Sequence, residues 1–518
     1  MCGVIGIAGS AKSAKSGAEY RAAYEAYRGL LTLQHRGQDA AGILSYDDLS
    51  KMFYQKRDLG LVAQVFDRDN IENLTGQMAI GHTRYATTGG NSRRDIQPLL
   101  TGAPFGLGMV HNGNIVNHKM LAQKLTADLK RQLLTENDLE VLLYYWSHYL
   151  LGGRDVHKDS FSFENMQRAT EMIFENFRGG YAVIGLVAQS GMVAFRDPHG
   201  LRPLVLGRRT EENGETRYCV TSETVALNYL GYDFMRDIRP GELIFIDLDG
   251  RLHSADLAES RTPKTPCAFE WIYFSAAEST IEKESVYKVR LRLGTQLGIK
   301  ARAAIEAGEI SPDVVMPVPD TSRSAAIAAA DLLGLPYREG LIKNRYVHRS
   351  FILNTQEERE DAVHLKLSPI KSEIEGKNIL LIDDSVVRGT TSKRIISLLK
   401  KNGAKEIVLG VTSPPLRYGC FYGIDFPDPA ELVANEKTVE DIADWAGARK
   451  FIYLDESDLK IAAAKSSMCM ACMNGKYPAG KEDIAAFAAQ RKAERLRNSA
   501  EKTATAKTEK KGKKERYA

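Results

Sequence analysis

The sequence predicts an α/β chain of two domains, the second built on an open parallel sheet. Three observations carry that expectation. Residues 379–382 form a short continuous apolar run, the pattern of a strand buried on both faces. The run ends in Asp383 and Asp384, passes through a loop of small hydrogen-bonding residues and enters a helical pattern over 392–399. The same order of strand, polar loop and helix recurs in VVMPVPDTSRSAAIAAA from Val314. Finally, 518 residues exceed what one core organises, and RTPKTP at 261–266 has two prolines, two threonines and no apolar side chain, which puts a boundary near residue 262.

Composition sets the outer limits. The balance of 70 basic and 66 acidic residues gives +4, and residues 501–518 alone hold seven Lys/Arg against three Asp/Glu. The remainder is balanced, so no nucleic-acid partner is expected. The apolar run at 4–8 is too short for a signal-peptide core and no later run is long enough to span a bilayer, which points to a cytoplasmic protein without a membrane partner. Six cysteines in so long a chain are not a disulfide framework and call for a chemical explanation.

Taken in order, the chain opens Met1-Cys2-Gly3 and continues VIGIAG, a strand pattern with glycines. Because Cys2 is small, removal of Met1 is expected, leaving a thiol and an α-amine on one residue. An α-amine titrates near about pH 8, so it can act as base for its own side chain. LQHRGQDAAGI from Leu33, GHTRYATTG from Gly81 and MVHNGNIVN from Met109 are strand ends or turns crowded with His, Arg, Asn and Gly. Arg84 suits a two-point clamp on a carboxylate. Asn112 and Gly113 offer a side-chain amide and a backbone N–H to an oxyanion, and Asp138 in TENDLEVLL can receive an ammonium group. Together with an N-terminal Cys they describe a glutamine site. Arg196 and His199, in FRDPHGLRPL, are expected to stabilise a turn, CVTSETVAL from Cys219 to build core, and ELIFIDLDGRL to form a hairpin at Asp249-Gly250.

In the second half, Gly389 and the hydroxyls of Thr390, Thr391 and Ser392 at a helix N-terminus, with Arg388, suit a phosphate. Asp383 and Asp384 can accept hydrogen bonds from a ribose diol. A nucleotide triphosphatase with Asp383 on magnesium is excluded, since no Gly-Lys-Ser or Gly-Lys-Thr occurs. The stretch resembles the phosphoribosyl pyrophosphate signature of type I phosphoribosyltransferases, which implies a doubly wound core binding an activated ribose, with Mg2+. The loop at 320–324, including Ser322, fits a pyrophosphate.

Over nearly its whole length, to about Pro478, the chain resembles the glutamine phosphoribosylpyrophosphate amidotransferase family. The resemblance implies a fold class of α/β and α+β: an N-terminal-nucleophile αββα sandwich over 1–262, then a type I phosphoribosyltransferase domain with a doubly wound parallel sheet over 263–478. It also implies Cys2 as nucleophile, Asn112 and Gly113 as oxyanion hole, Arg84 on the glutamine carboxylate and Asp138 on its α-amino group. The activity implied is that of a pentosyltransferase: glutamine hydrolysed at Cys2, ammonia passed to phosphoribosyl pyrophosphate, and 5-phosphoribosylamine formed. Lys343, Arg345 and Arg349 in GLIKNRYVHRSFI resemble the family's mobile loop, where His348 replaces a common Gly. Purine nucleotide effectors and a homotetramer are implied as well. A salvage phosphoribosyltransferase or a non-enzymatic sensor of phosphoribosyl pyrophosphate would leave the first half unexplained.

Cys267, Cys420, Cys469 and Cys472 stand far apart except for one C-x-x-C, moderate evidence for a metal. Their contexts, CAFEWIYF, CFYGID and CMACMNGKYP, resemble those of the family branch that binds a [4Fe–4S] cluster, with zinc as the alternative. Cys219 is left as a core thiol. Residues 481–497 suit an exposed helix, and 499–518 are too polar to bury a core and are expected to be disordered.

Overall fold

The computed structural model describes residues 1–10, 21–86, 92–103, 105–151, 162–258, 263–344 and 367–497. The chain divides into two compact units. Met1–Pro266, Cys420–Asp425 and the chain from Tyr477 make the first, and Cys267–Gly419 with Phe426–Lys476 the second.

In the first unit the strands are β1 (Gly3–Ala8), β2 (Ala40–Asp47), β3 (Met52–Leu59), β4 (Met78–Arg84), β5 (Leu99–Thr101), β6 (Leu107–Ile115), β7 (Gly179–Val187), β8 (Gly191–Arg196), β9 (Val205–Thr210), β10 (Thr216–Thr221), β11 (Asp233–Asp237), β12 (Glu242–Asp247) and β13 (Leu252–Asp256). They form two sheets, β11-β9-β10-β1-β4-β2-β3 and β13-β12-β8-β7-β6-β5. Val4, Leu44 and Ile80 of the first share a core with Val110, Ala182, Ile184 and Ile244 of the second, so the sheets pack face to face. Alternate residues of the second sheet, Met109, Val183, Phe195 and Leu243, turn away to meet Leu142 and Trp146 of the helix Asp138–Leu151 and Ile173 of the helix Phe163–Asn176. The helix Ala22–Thr32 covers the outer face of the first sheet, where Leu30 fills the space above Gly81. Strands covered on both faces explain why GVIGIA is buried at every position. The expected αββα sandwich is present, and β12 and β13 form the hairpin, with Gly250 at φ 79°.

The second unit has two short hairpins, β14 (Thr280–Ile281) with β15 (Glu284–Ser285) and β17 (Leu341–Lys343) with β18 (Leu367–Pro369). Its centre is a parallel sheet of β16 (Val314–Pro317), β19 (Asn378–Asp383), β20 (Glu406–Val411) and β21 (Lys450–Tyr453), in the order β16-β19-β20-β21. Ile395, Ile396 and Leu399 of the helix Thr390–Lys401 and Ile442 of the helix Val439–Ala446 pack on one face. On the other, Leu297 of the helix Val286–Glu306 lies over Gly410, where a Cβ would sit 2.9 Å from its Cδ2. Helices on both faces of a parallel sheet make the doubly wound core the sequence predicted.

Two expectations are corrected. The helix after the paired acids begins at Thr390, two residues before Ser392, because Gly389 takes the left-handed conformation (φ 71°) and turns the chain into the helix there. The helical stretch over 484–497 is not simply exposed. Phe487 is 1% and Arg491 6% exposed; Phe487 packs edge-on against His118 and Phe421, and Arg491 pairs with Asp425 at 2.5 Å. A charge-rich helix with one aromatic on its inner face buries that face alone.

Candidate active site

Each unit carries one constellation. In the first, Cys2 lies at the mouth of β1, beside the carboxyl end of β4, which holds Arg84. The Cys2 N–H donates to Asn112 Oδ1 at 3.2 Å, the Cys2 thiol to the Tyr85 carbonyl at 3.7 Å, and the Gly3 N–H to Thr83 Oγ1 at 3.2 Å. Arg36 Nε donates to the Cys2 carbonyl at 3.2 Å. Asn112 is fully buried on β6, and its Nδ2 has no hydrogen-bond partner among the described residues. Next to it Gly113 has φ 138°, and a Cβ there would sit 1.9 Å from the Gly180 carbonyl, so only glycine fits. Burial pushes the Cys2 thiol up, while the positive charges of the N-terminus and Arg84 oppose it.

Asp138 opens the helix Asp138–Leu151 and is 2% exposed; its Oδ2 accepts from the Ile115 N–H at 2.8 Å, and its Oδ1 lies 3.4 Å from His111 Nε2. Burial alone would raise its carboxyl, but His111, His118 and the Ile115 N–H hold it below the usual range. Asp138 thus also fixes the end of the strand that carries Asn112. Arg196 is buried and donates to the carbonyls of Gly200, Arg202 and Ile238, a turn-stabilising part as expected. Cys219 is fully buried in β10, its thiol pushed well up by burial. One contributor escaped the sequence: Gly423, more than three hundred residues on, where a Cβ would sit 3.0 Å from Gly113 Cα. No spacing could have announced it.

In the second unit Asp383 ends β19 and Asp384 follows. The Asp384 N–H donates to Asp383 Oδ1 at 2.9 Å and the Ser385 hydroxyl to Asp384 Oδ1 at 2.6 Å. Burial and the neighbouring Asp384 push Asp383 well above the usual carboxylate range, and burial pushes Asp384 up to about 6. Thr390, Thr391 and Ser392 form the first turn of their helix, whose opening N–H groups lack intrahelical acceptors. Arg388 pairs with Glu431 at 2.9 Å on the surface. Ser322, 2% exposed, precedes the helix Arg323–Leu333. Lys343 reaches Asp320 at 2.9 Å, which brings β17 to that loop. Arg345, His348 and Arg349 lie outside the described residues, as do 498–518.

Backbone contacts bring together two cysteines of the second unit and tie a third to the chain before Cys420. The backbones of Cys267 and Cys469 pair in an isolated parallel β-bridge, the Ala268 N–H donates to the Cys469 carbonyl at 3.1 Å, and the Arg417 and Tyr418 N–H groups donate to the Cys472 carbonyl at 3.0 Å. These three are buried, and none of the chain's cysteines is in a disulfide; Cys420 belongs to the first unit. Soft, buried thiols are a donor set suited to iron–sulfur or zinc. Among the described residues no group of three or more His, Cys, Asp or Glu is assembled for a metal.

Cys2 beside the Asn112 amide and Gly113, and paired acids before a helix start, fit a glutamine amidotransferase joined to a phosphoribosyltransferase; residues 82–229 match a family model for a glutamine amidotransferase domain and 296–413 one for a phosphoribosyl transferase domain. The amidophosphoribosyltransferase of Escherichia coli (strain K12) is 41% identical over 459 residues, covering 89% of this chain and 88% of that enzyme, and the Saccharomyces cerevisiae one is 36% identical over 489 residues, covering 93% of each. The chain belongs to the amidophosphoribosyltransferase family: it is a glutamine-dependent transferase acting on phosphoribosyl pyrophosphate in purine synthesis. A solved glutamine phosphoribosylpyrophosphate amidotransferase from B. subtilis, complexed with ADP and GMP, has a TM-score of 0.79 and 35% identity, covering 93% of this chain and 98% of that one.

Proposed function

We propose that Cys2, freed of Met1, is the nucleophile of the glutamine half. Its α-amine takes the thiol proton, and the sulfur attacks the side-chain carbonyl carbon of glutamine. As the intermediate collapses the C–N bond breaks, and the nitrogen leaves as ammonia with that proton. Water then hydrolyses the thioester to glutamate. The observation that carries this assignment is the Asn112 amide, whose oxygen takes the Cys2 N–H while its buried Nδ2 has no partner among the described residues. A buried donor without a partner is costly, and an oxyanion beside Cys2 would satisfy it, with the Gly113 N–H as second donor. Arg84 clamps the glutamine α-carboxylate, and Asp138 receives the α-ammonium.

Ammonia then passes inside the protein to the second half, where its lone pair attacks C1 of the ribose and the bond to pyrophosphate breaks. Asp383 and Asp384 hold the ribose hydroxyls, residues 388–392 the 5′-phosphate, and Ser322 and Lys343 the pyrophosphate. The rate gain in this half comes from positioning and charge neutralisation. Mg2+ suits the hard oxygens of Asp383 and Asp384, whose raised values reflect carboxylates that gain from an added cation. When bound it supplies positive charge beside the pyrophosphate oxygens.

The test is Cys2→Ala assayed for pyrophosphate release. Glutamine-dependent release is lost and ammonia-dependent release is kept; equal loss of both in folded protein would overturn the two-site scheme.

We further infer a structural [4Fe–4S] cluster, or zinc in its place, held by Cys267, Cys420, Cys469 and Cys472. The buried thiols and their sequence contexts support it. Iron and acid-labile sulfide in anaerobically purified protein measure it, and colourless protein with one zinc per chain would overturn the iron–sulfur assignment. Domains at 1–262 and 263–478, with a charged helix and tail at 479–518, a cytoplasmic location, a homotetramer and control by purine nucleotides complete the proposal. The ADP and GMP bound to the B. subtilis relative support the last.

A further inference from the structure

LQHRGQDAAGI and CVTSETVAL meet at the nucleophile, although neither has a part in the chemistry so far. Arg36 ends a short turn, Gln34–Arg36, after the helix Ala22–Thr32, and Glu223 lies between β10 and the helix Thr224–Leu230. Arg36 is 1% exposed and Glu223 0%. Arg36 NH1 donates to Glu223 Oε1 at 2.5 Å, and His35 Nε2 lies 2.8 Å from the same oxygen. The other arm of the guanidinium, Nε, donates to the carbonyl of Cys2 at 3.2 Å.

We propose that Arg36 and Glu223 are positioning residues that lock the main chain of Cys2 so that its thiol meets the substrate carbonyl in register with Asn112 and Gly113. The inference rests on Cys2 being the nucleophile. A residue at the start of a strand has no ladder partner on its free side, and a cysteine that carries the free α-amine has no preceding peptide plane to fix its backbone. Here four backbone polar atoms of residues 2–4 are tied to side chains. The Cys2 nitrogen is held by Asn112, its carbonyl by Arg36, the Gly3 nitrogen by Thr83, and the Val4 nitrogen by the Ser222 hydroxyl at 3.0 Å, one residue from Glu223. Asn112 alone would leave rotation about the Cys2 Cα–C bond open; the Arg36 contact closes it. A buried ion pair contributes little net stability compared with apolar side chains of the same volume. Its use here is geometric, because a planar guanidinium addresses a carbonyl and a carboxylate in fixed directions, and lysine cannot reproduce both contacts. Misplacement of a reacting group by about 1 Å costs roughly 100-fold in rate.

The experiment compares Arg36→Lys and the double variant Arg36→Met/Glu223→Gln with the parent enzyme, in the full chain. Four quantities are read: glutamine-dependent kcat, glutamine KM, ammonia-dependent activity, and the rate of Cys2 alkylation by an electrophilic glutamine analogue. Expected are a fall in glutamine-dependent kcat of about 10-fold or more with glutamine KM within about twofold, an equal fall in alkylation rate, and unchanged ammonia-dependent activity. The double variant removes the buried charges together, so a purely structural pair would leave its glutaminase intact. An unchanged kcat in both variants, or parallel loss of glutamine- and ammonia-dependent activity in Arg36→Lys, overturns the inference. Cys2→Ala is run beside them. Glutamine-dependent activity surviving there sinks the nucleophile assignment itself, whereas loss there with normal Arg36 variants sinks the positioning role alone.

Discussion

Asn112 accepts the Cys2 N–H with its amide oxygen, while its buried Nδ2 has no partner among the described residues; in the proposed reaction that donor meets the developing oxyanion. Replacing it by Ala should lower glutamine-dependent kcat by about 10²–10³ with little change in glutamine KM, the cost of one oxyanion donor, measured by steady-state kinetics. Asp384 sets a pH dependence. Its folded value of about 6 lies above that of a free carboxylic acid, so the proton stabilises the apo fold and that contribution is lost as pH rises through 6. In the proposed site the ribose hydroxyls donate to the ionised form. The affinity for phosphoribosyl pyrophosphate, followed by calorimetry, should therefore weaken as pH falls below 6, by about tenfold per unit for one proton, and Asp384→Asn should flatten the profile. Cys2, Asn112, Asp383 and Asp384 stand out in the sequence as candidates because chemistry-bearing residue types cluster at strand ends. The Arg36–Glu223 pair does not, since the two are 187 positions apart and each looks like an ordinary turn or cap residue.

Gly389 illustrates what an element boundary decides. Its left-handed backbone starts the helix Thr390–Lys401, and a Cβ there would sit 2.7 Å from the Trp445 ring. Gly389→Ala should raise the KM for phosphoribosyl pyrophosphate and lower Tm, and an unchanged KM would mean the loop does not hold the phosphate. Parallel strands such as β19 announced themselves as unbroken apolar runs, and the loops after them by their small polar residues. The helix start shifted by two residues because the turn at Gly389 outweighs the apolar period that placed it at Ser392. The helical stretch over 484–497 was harder, since charged residues dominate it and a single Phe487 carries the inward face. Phe487→Ala should destabilise the first unit by about 3–5 kcal/mol, read from chemical denaturation.

At the scale of the whole molecule, the first unit recruits Cys420–Asp425 and the chain from Tyr477, so its compact body is not one run of sequence. Periodicity sees neighbours along the chain and cannot see such exchange, and the same blindness hid Gly423 behind Gly113. What the sequence did reveal at this scale was the pairing of two chemistries, glutamine amidotransfer in the first half and phosphoribosyl transfer in the second, and the amidophosphoribosyltransferase relatives match this chain over most of their length. In the proposed reaction the nitrogen freed at Cys2 is the nitrogen that reaches the ribose. The most direct measurement supplies glutamine labelled with 15N in its amide together with an excess of unlabelled ammonium, and follows the isotope into 5-phosphoribosylamine, trapped as it forms. Product carrying the label at nearly the enrichment of the glutamine is the predicted result; product with the isotope ratio of the bulk ammonium pool would contradict it.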